Sequence, residues 1–247
     1  MLFAAGTLLG ADVTSTAPAA SPIMDPEKEG LELAARLLSA MPAASSETRG
    51  LLEIRTSGGR ITRQRLQCVI AVTATNWMIT YRAGVADGNQ KLTVLTILHA
   101  PLQTNIYRLE GSSDPSSSAA AAVPLTTPFA GSDFSLQDLG LEFLHWPIQR
   151  ALRSEMSRGR PCRVLESVTP QPGPGSYARV LSWVDLETGG ILQAEAYAAQ
   201  SNRPLKKFAL GSFEKVKGQW QLRDMRMRNL KTGTQSELKF QLNRPSD

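Results

Sequence analysis

From residue 50 onward the chain is a succession of short β-type runs, each closed by turn residues. This feature limits the possible folds more than any other. "GLLEIRTSGGRITRQRLQCVIAV" reads as two strands joined at Ser57-Gly58-Gly59, a hairpin signal. "NWMITYRA", "KLTVLTILHA" and "TNIYRLEG" follow, the second entered through "DGN". The last third repeats the pattern. "CRVLESVTP" leads into "QPGPG", and "SYARVLSWVD" is joined to "ILQAEAYAA" by "LETGG". "LKKFALGSFEKV", "WQLRDMRMRNL" and "TQSELKFQLN" complete it, joined by "KGQ" and "KTG". Helices do not alternate with these strands, so a parallel sheet with crossover helices is excluded. One curved antiparallel sheet, a barrel or half-barrel, is expected.

Two segments break the pattern with helical spacing. In "DPEKEGLELAARLLSAM", Asp25 suits an N-cap and Pro26 the first helical position. Leu31, Ala34, Ala35 and Leu38 form an apolar stripe, Gly30 weakens the helix slightly, and Pro42 ends it. The second is "FSLQDLGLEFLHW", residues 134–146. There Leu136, Leu139, Phe143 and Trp146 recur every three or four residues, and Pro147 follows.

Just ahead of this second segment, "PFAGSDFSLQDLG" presents Ser132, Asp133 and Asp138 in the manner of an active-site loop. The start of a helix accounts for all three. Ser132 or Asp133 would cap it, and Asp138 would sit in the first turn, where the helix dipole favours negative charge. His145 would lie about three turns along that helix, too far to activate Ser132. No nucleophile elbow G-x-S-x-G, zinc-binding H-E-x-x-H or phosphate loop occurs in the chain. The expectation is a protein that is not an enzyme and needs no cofactor. His99 ends an apolar strand and reads as structural.

With 247 residues, 42% hydrophobic and 20% charged, the chain is long enough for one sizeable folded domain. Residues 25–247 are expected to form it. Ahead of it, "MLFAAGTLLGA" resembles the apolar region of an export signal and is too short to span a bilayer. A Pro/Ala/Ser/Thr linker then completes residues 1–24. Residues 111–128, rich in Ser, Ala and Pro, read as a flexible surface loop. Two cysteines, Cys68 and Cys162, permit one disulfide or two free thiols, and two Cys with two His so far apart have no zinc-ligand spacing. Residues 201–247 hold 11 Lys/Arg against 4 Asp/Glu, a local excess of +7, and the first 200 carry 16 against 18, or −2. The basic residues of this end are interleaved with Met and Leu, as on a half-buried strand, so no nucleic-acid partner is expected.

The ordered set "FAGSDFSLQDL", "CRVLES", "SYARVLSWVDLETGGILQAEAY", a Lys-Lys-Phe strand and "GQWQLRDMRMRNLKTGTQSELKF" resembles the outer-membrane lipoprotein-sorting proteins, and within them an uncharacterised LolA-like branch. The resemblance covers residues 129–242 best and residues 25–110 by pattern only. It implies an α+β fold, a curved antiparallel unclosed half-barrel with helices covering the concave face. It also implies a periplasmic, non-enzymatic carrier of lipoprotein acyl chains or other lipid, working with membrane-associated donor and acceptor proteins. An alternative is a lipid-sensing envelope regulator of the same fold acting through a protein partner.

The residues allow an apolar cavity. Val180 and Val184 alternate with Leu181 and Trp183, so both faces of that strand carry apolar side chains, and something must cover the second face. Met225 and Met227 suit a cavity wall, since Met adapts to irregular apolar shapes. Holding them on one face with Trp220 and Leu222 requires a one-residue shift, a β-bulge, near Arg223 and Asp224. The cavity is expected to be lined by Leu181, Trp183, Met225, Met227, Phe143 and Trp146. The segment 134–146, with Gly131 before it and Gly140 inside it, is the expected lid.

Overall fold

The computed structural model describes residues 25–84, 92–101, 103–111, 123–216 and 219–241. The signal-like segment, its linker, the "DGN" turn and most of the Ser/Ala loop lie outside these residues.

Helix α1 spans Pro26–Ser39. The Asp25 carboxylate accepts the Glu27 N–H at 3.0 Å, and Glu27 and Glu29 occupy the dipole-favoured first turn. The buried side of α1 differs from the expected stripe: it is Gly30, Leu33, Ala34 and Leu37, with Leu31 exposed and Leu38 half-buried. Gly30 is the reason. A Cβ there would come within 2.5 Å of the Arg150 backbone nitrogen, so the missing side chain lets α1 lie directly on a strand backbone.

Fourteen strands are described. They are β1 Ser46–Arg55, β2 Ile61–Val72, β3 Trp77–Gly84, β4 Thr93–His99, β5 Ile106–Glu110, β6 Ile148–Ser157, β7 Arg160–Val168, β8 Arg179–Asp185, β9 Ile191–Tyr197, β10 Lys206–Leu210, β11 Phe213–Val216, β12 Gln219–Leu222, β13 Asp224–Asn229 and β14 Gln235–Gln241. Twelve form one antiparallel sheet in the order β5-β4-β3-β2-β1-β14-β13-β10-β9-β8-β7-β6, and β11 and β12 form a separate ribbon. The sheet does not close, because β5 and β6 are its two edges. Two hairpin meanders are joined at the centre by β14, which pairs with β1 on one side and β13 on the other.

Three strand expectations change. β6 was not foreseen. It is an edge strand with Arg150, Arg153 and Glu155 among its apolar residues, so it has no clean alternation. Arg158 and Gly159, both at positive φ, make the two-residue turn into β7. "LKKFALGSFEKV" and "WQLRDMRMRNL" are each two strands, broken at Gly211-Ser212 and at Arg223. The shift expected at Arg223 and Asp224 therefore occurs as a strand interruption. Asp224 Oδ2 accepts both the Ser212 N–H (3.0 Å) and the Ser212 hydroxyl (2.7 Å) across the break. Leu222, Met225 and Met227 are all buried, and the Trp220 side chain lies outside the described part.

Register sorts the side chains into two faces. Leu52, Leu66, Ile79, Tyr81, Leu95, Ile97, Leu238, Met225 and Met227 are buried on the inner face; charged and polar residues dominate the outer face of β1, β2 and β14, whereas Cys162, Val164 and Trp183 of β7 and β8 are buried on it. Residues 111–147 cross from edge β5 to edge β6, and their described part packs over the inner face with α1. The expected helix over 134–146 is not continuous. It consists of α2, Leu136–Leu139, then a 3-10 turn, Glu142–His145, after another at Phe129–Gly131. Leu141, at φ +52°, breaks it in the left-handed region. The break lies against β5: Asn105 Nδ2 donates to the Gly140 carbonyl at 2.7 Å, and a Cβ on Gly140 would lie 2.7 Å from Tyr107 ring carbons.

Candidate functional site: the seam beneath the crossover

The α2 N-cap is Ser135, not Ser132 or Asp133. Its N–H and hydroxyl both donate to Asp138 Oδ2, at 2.7 and 2.6 Å. Asp138 is in the first turn as expected, but it does more than favour the helix. It also accepts from the Tyr177 hydroxyl (2.8 Å) and from Lys206 Nζ of β10 (3.1 Å). Lys206 donates in addition to the Asp133 carbonyl at 2.6 Å. One carboxylate thus ties the crossover to β10 and to the β7–β8 connection. Burial, and then the Asp138 charge beside it, raise the Tyr177 phenol far above its ordinary range.

The loop that looked catalytic is held in structural bonds. Ser132 Oγ donates to the Phe129 carbonyl at 2.7 Å and accepts the Phe134 N–H at 3.2 Å. Asp133 accepts from the Thr234 hydroxyl and, at 2.8 Å, from the Ser236 hydroxyl, fixing the loop to β14. His99 stacks on Trp77 with ring centroids 4.0 Å apart. Burial pushes its imidazole down to about 3, so it is neutral. Among the described residues, no group of three or more His, Cys, Asp or Glu is arranged to hold a metal ion. Cys68 and Cys162 are free and buried. By register they lie on opposite faces of the sheet.

Between the crossover and the inner face runs an apolar seam. One part is lined by Leu141, Phe143, Tyr177, Val180, Phe208 and Met227. The adjoining part is lined by Leu37, Phe134, Leu139, Leu210 and Met225, and Asp138, Leu141, Ile191 and Phe208 border both. The free volumes are about 30 and 50 Å³. That is room for a few waters, whereas small-molecule pockets usually span about 300–1,000 Å³. Phe129, Phe134 and Leu136 fill the rest and are almost wholly buried.

The structure brings Met225, Met227 and Phe143 together on this seam. Trp146 is half-buried beside it, in the cluster that includes α1. Leu181 and Trp183 lie on the outer face, since their neighbours Val180 and Ser182 pair with the inner Ala196 and Ala194. There the Trp183 indole N–H donates to Glu155. Phe208 and Lys206 were missed. They were legible as alternate positions of the Lys-Lys-Phe strand, which place both on the face of Met225 and Met227. Leu141 and Tyr177, one in a broken helix and one in a loop, gave no periodic signal.

A family model described as "-like: Uncharacterized protein" matches residues 115–244, just over half of the chain. The chain belongs to that family. No curated protein matches this family member. Its architecture is shared by solved structures. A DUF1329 family protein from Desulfovibrio piger superposes with a TM-score of 0.66 at 20% identity, over 90% of this chain and 93% of that one. A putative outer membrane lipoprotein-sorting protein domain from Vibrio parahaemolyticus gives 0.64 at 18%, over 87% and 92%. The LolA superfamily protein NE2245 from Nitrosomonas europaea gives 0.54 at 17%, over 91% and 95%. The family member therefore has the LolA-like fold, an open antiparallel half-barrel with few helices, as the sequence resemblance implied. Among its described residues, no helix is long and apolar enough to cross a membrane.

Proposed function

We propose that this protein is a periplasmic, non-enzymatic carrier that takes the acyl chain of a lipoprotein or other lipid into the seam between the crossover and the inner face. The observation that carries the reading is the seam itself. Met225, Met227, Phe208, Phe143, Leu141 and Ile191 form an apolar wall with a single polar node, Asp138–Lys206–Tyr177, at its border. An apolar ligand asks for such a lining with few polar groups. The fold shared with a putative lipoprotein-sorting domain supports the reading. So does the export-like stretch "MLFAAGTLLGA" ahead of the linker.

The small free volumes set a condition. An acyl chain enters only if the crossover lifts from β10 and β13, so residues 134–146 are the lid. They are suited to it, being two short turns around a left-handed Leu141 rather than a regular helix. Donor and acceptor proteins at the two membranes would drive the opening and closing.

Native mass spectrometry with lipid extraction, followed by titration with a fluorescent fatty acid, tests this. The expected result is near-stoichiometric acylated species, lost on Met227→Asp and reduced by Ala196→Phe, which fills the inner face. Hydrogen exchange should show residues 134–146 opening far more readily than β9 and β13. A lipid-free mass with no uptake, or a crossover as protected as the sheet, would sink the carrier reading and leave a half-barrel filled by its own chain.

A further inference from the structure

The outer face holds a groove of about 700 Å³, lined chiefly by Arg49, Arg65, Gln67, Arg82, Leu92 and Gln241. Register explains how it is built. Gln241, Arg49, Gln67 and Arg82 stand in one row across β14, β1, β2 and β3. Leu51, Arg65 and Gly84 form the next row. Strands lie about 4.8 Å apart, so Arg49 and Arg82 are about 10 Å apart at the backbone, with Arg65 offset between them. That spacing lets three long guanidinium side chains reach one object. Gly84 has no side chain on the outer face, and Leu92 closes over it, a Cβ there lying 3.2 Å from Leu92 Cδ1, so Leu92 walls the depression beside Arg65.

The charges in this groove differ from those around it. Over the rest of the outer face most cations oppose a carboxylate. Arg63 and Lys239 share Glu53 (3.0 and 3.2 Å), Arg226 meets Glu237 (3.1 Å), and Lys207 meets Glu195 (2.7 Å). In the groove, among the described residues, only Arg49 has such a partner, Glu47 at 3.1 Å, and Glu47 also accepts from Gln67 Nε2 at 2.8 Å. Among the described residues Arg82 hydrogen-bonds the Gln67 amide oxygen, at 3.4 Å, and reaches Glu47 only through its field. Arg65 has no acidic partner among the described residues. Among the described residues three guanidinium groups therefore share one carboxylate, with Arg49 and Arg65 exposed and Arg82 half-buried, so the groove carries a local positive field open to a ligand. Planar guanidinium forks match the paired oxygens of a carboxylate or a phosphate, and a phosphate, with three acceptor oxygens and up to two negative charges, can take bonds from more than one fork at once.

We propose that this groove binds a phosphate-bearing group, with Arg65 and Arg82 as its main ligands and Gln67 and Arg49 at its rim. The site is independent of the seam, being on the opposite face of the sheet. The phosphate could belong to a lipid headgroup at a membrane surface or to a free phosphate ester, and the test separates the two.

The full chain is titrated with inorganic phosphate by calorimetry. It is also floated with vesicles of phosphatidylglycerol mixed equally with phosphatidylcholine, and with vesicles of phosphatidylcholine alone. Saturable binding of inorganic phosphate identifies a free-phosphate site. Binding only to the anionic vesicles identifies a headgroup site. In either case Arg65→Ala and Arg82→Ala each weaken binding about tenfold or more, the loss of one charge-assisted contact. Arg65→Lys recovers only part, because it keeps the charge and loses the fork. Arg228→Ala removes an exposed cation of the same face outside the groove and serves as the control. The proposal is overturned if neither ligand binds. It is equally overturned if Arg228→Ala weakens binding as much as Arg65→Ala, since diffuse charge would then be the whole attraction.

Discussion

Removing the Asp138 carboxylate should loosen the crossover more than any other single polar change. The side chains of Asp138 and Lys206 are 8% and 17% exposed, so both are largely desolvated. Asp138→Ala leaves the Lys206 ammonium without its counter-ion and strands the donors of Ser135 and Tyr177. Breaking one side of a buried pair costs about 3–5 kcal/mol. Lys206 keeps the Asp133 carbonyl at 2.6 Å, which offsets part of its loss. The stranded backbone and phenol donors, at about 1–3 kcal/mol each, add to it. The net expectation is about 4 kcal/mol, a fall in Tm of roughly 8–16 °C for a chain of this size. Lys206→Met should cost less, about 1–3 kcal/mol, because three donors still serve the carboxylate. The double variant should therefore be non-additive. Urea unfolding followed by tryptophan fluorescence measures each, and hydrogen exchange shows whether residues 134–146 open first. An Asp138→Ala protein within about 1 kcal/mol of the parent, with unchanged exchange in the crossover, would refute the view that this node holds the crossover down.

Other outcomes follow from the same contacts. His99 is held neutral down to about pH 3 in the folded protein, against 6.5 for its ordinary value. Between those two pH values the unfolded chain therefore binds a proton that the folded chain does not. Stability should fall as pH drops below 6.5, by up to about 1.4 kcal/mol per pH unit from this group. His99→Phe, which keeps a ring on Trp77, should flatten that part of the stability–pH curve, and an unchanged slope would show that the burial argument fails. Cys68, buried and with its thiol pushed up to about 11, should resist alkylation at pH 8 until the protein unfolds. Rapid modification of the native protein, read by mass spectrometry, would contradict its placement. Gly30→Ala should destabilise by about 1–3 kcal/mol, since the new methyl meets the β6 backbone, which cannot rotate away. A neutral or stabilising effect in thermal melts would show that α1 does not lie on β6 as described.

The sheet was largely legible because its strands carry their own punctuation. Gly58-Gly59, "QPGPG" and "LETGG" fall where the chain turns, and α1 began where Asp25 and Pro26 indicated. What was not legible depended on contacts distant in sequence. α1 turned its Gly30 side inward because a strand backbone lay there, whereas periodicity weights only side chains and so selected Leu31 and Leu38. The pattern Leu136, Leu139, Phe143 and Trp146 was helical, yet Tyr107 and Asn105 of the far edge hold the chain at Gly140 and split the helix. Leu181 and Trp183 read as cavity residues because their strand is apolar on both sides. Only register to β9 and β10 shows which side is which. Asp138 was read as a helix-start residue. Its larger part, joining α2 to Tyr177 and Lys206, needed partners 39 and 68 residues away.

The position of β14 has a consequence for how such a chain is assembled. The first meander, β1 to β5, and the second, β6 to β13, can each form from hairpins as soon as their residues are available. Neither can join the other until the last strand arrives, because β14 alone is hydrogen-bonded to both β1 and β13. Leu52 must find Leu238 about three quarters of the chain away, a contact whose loop-closure entropy makes folding slow. Before that step two long strand edges, β1 and β13, are open at once, and open edges recruit other strands. β14 acts as a keystone: a chain that ends before Gln235 would be two half-sheets with sticky borders, prone to associate with copies of itself rather than to fold.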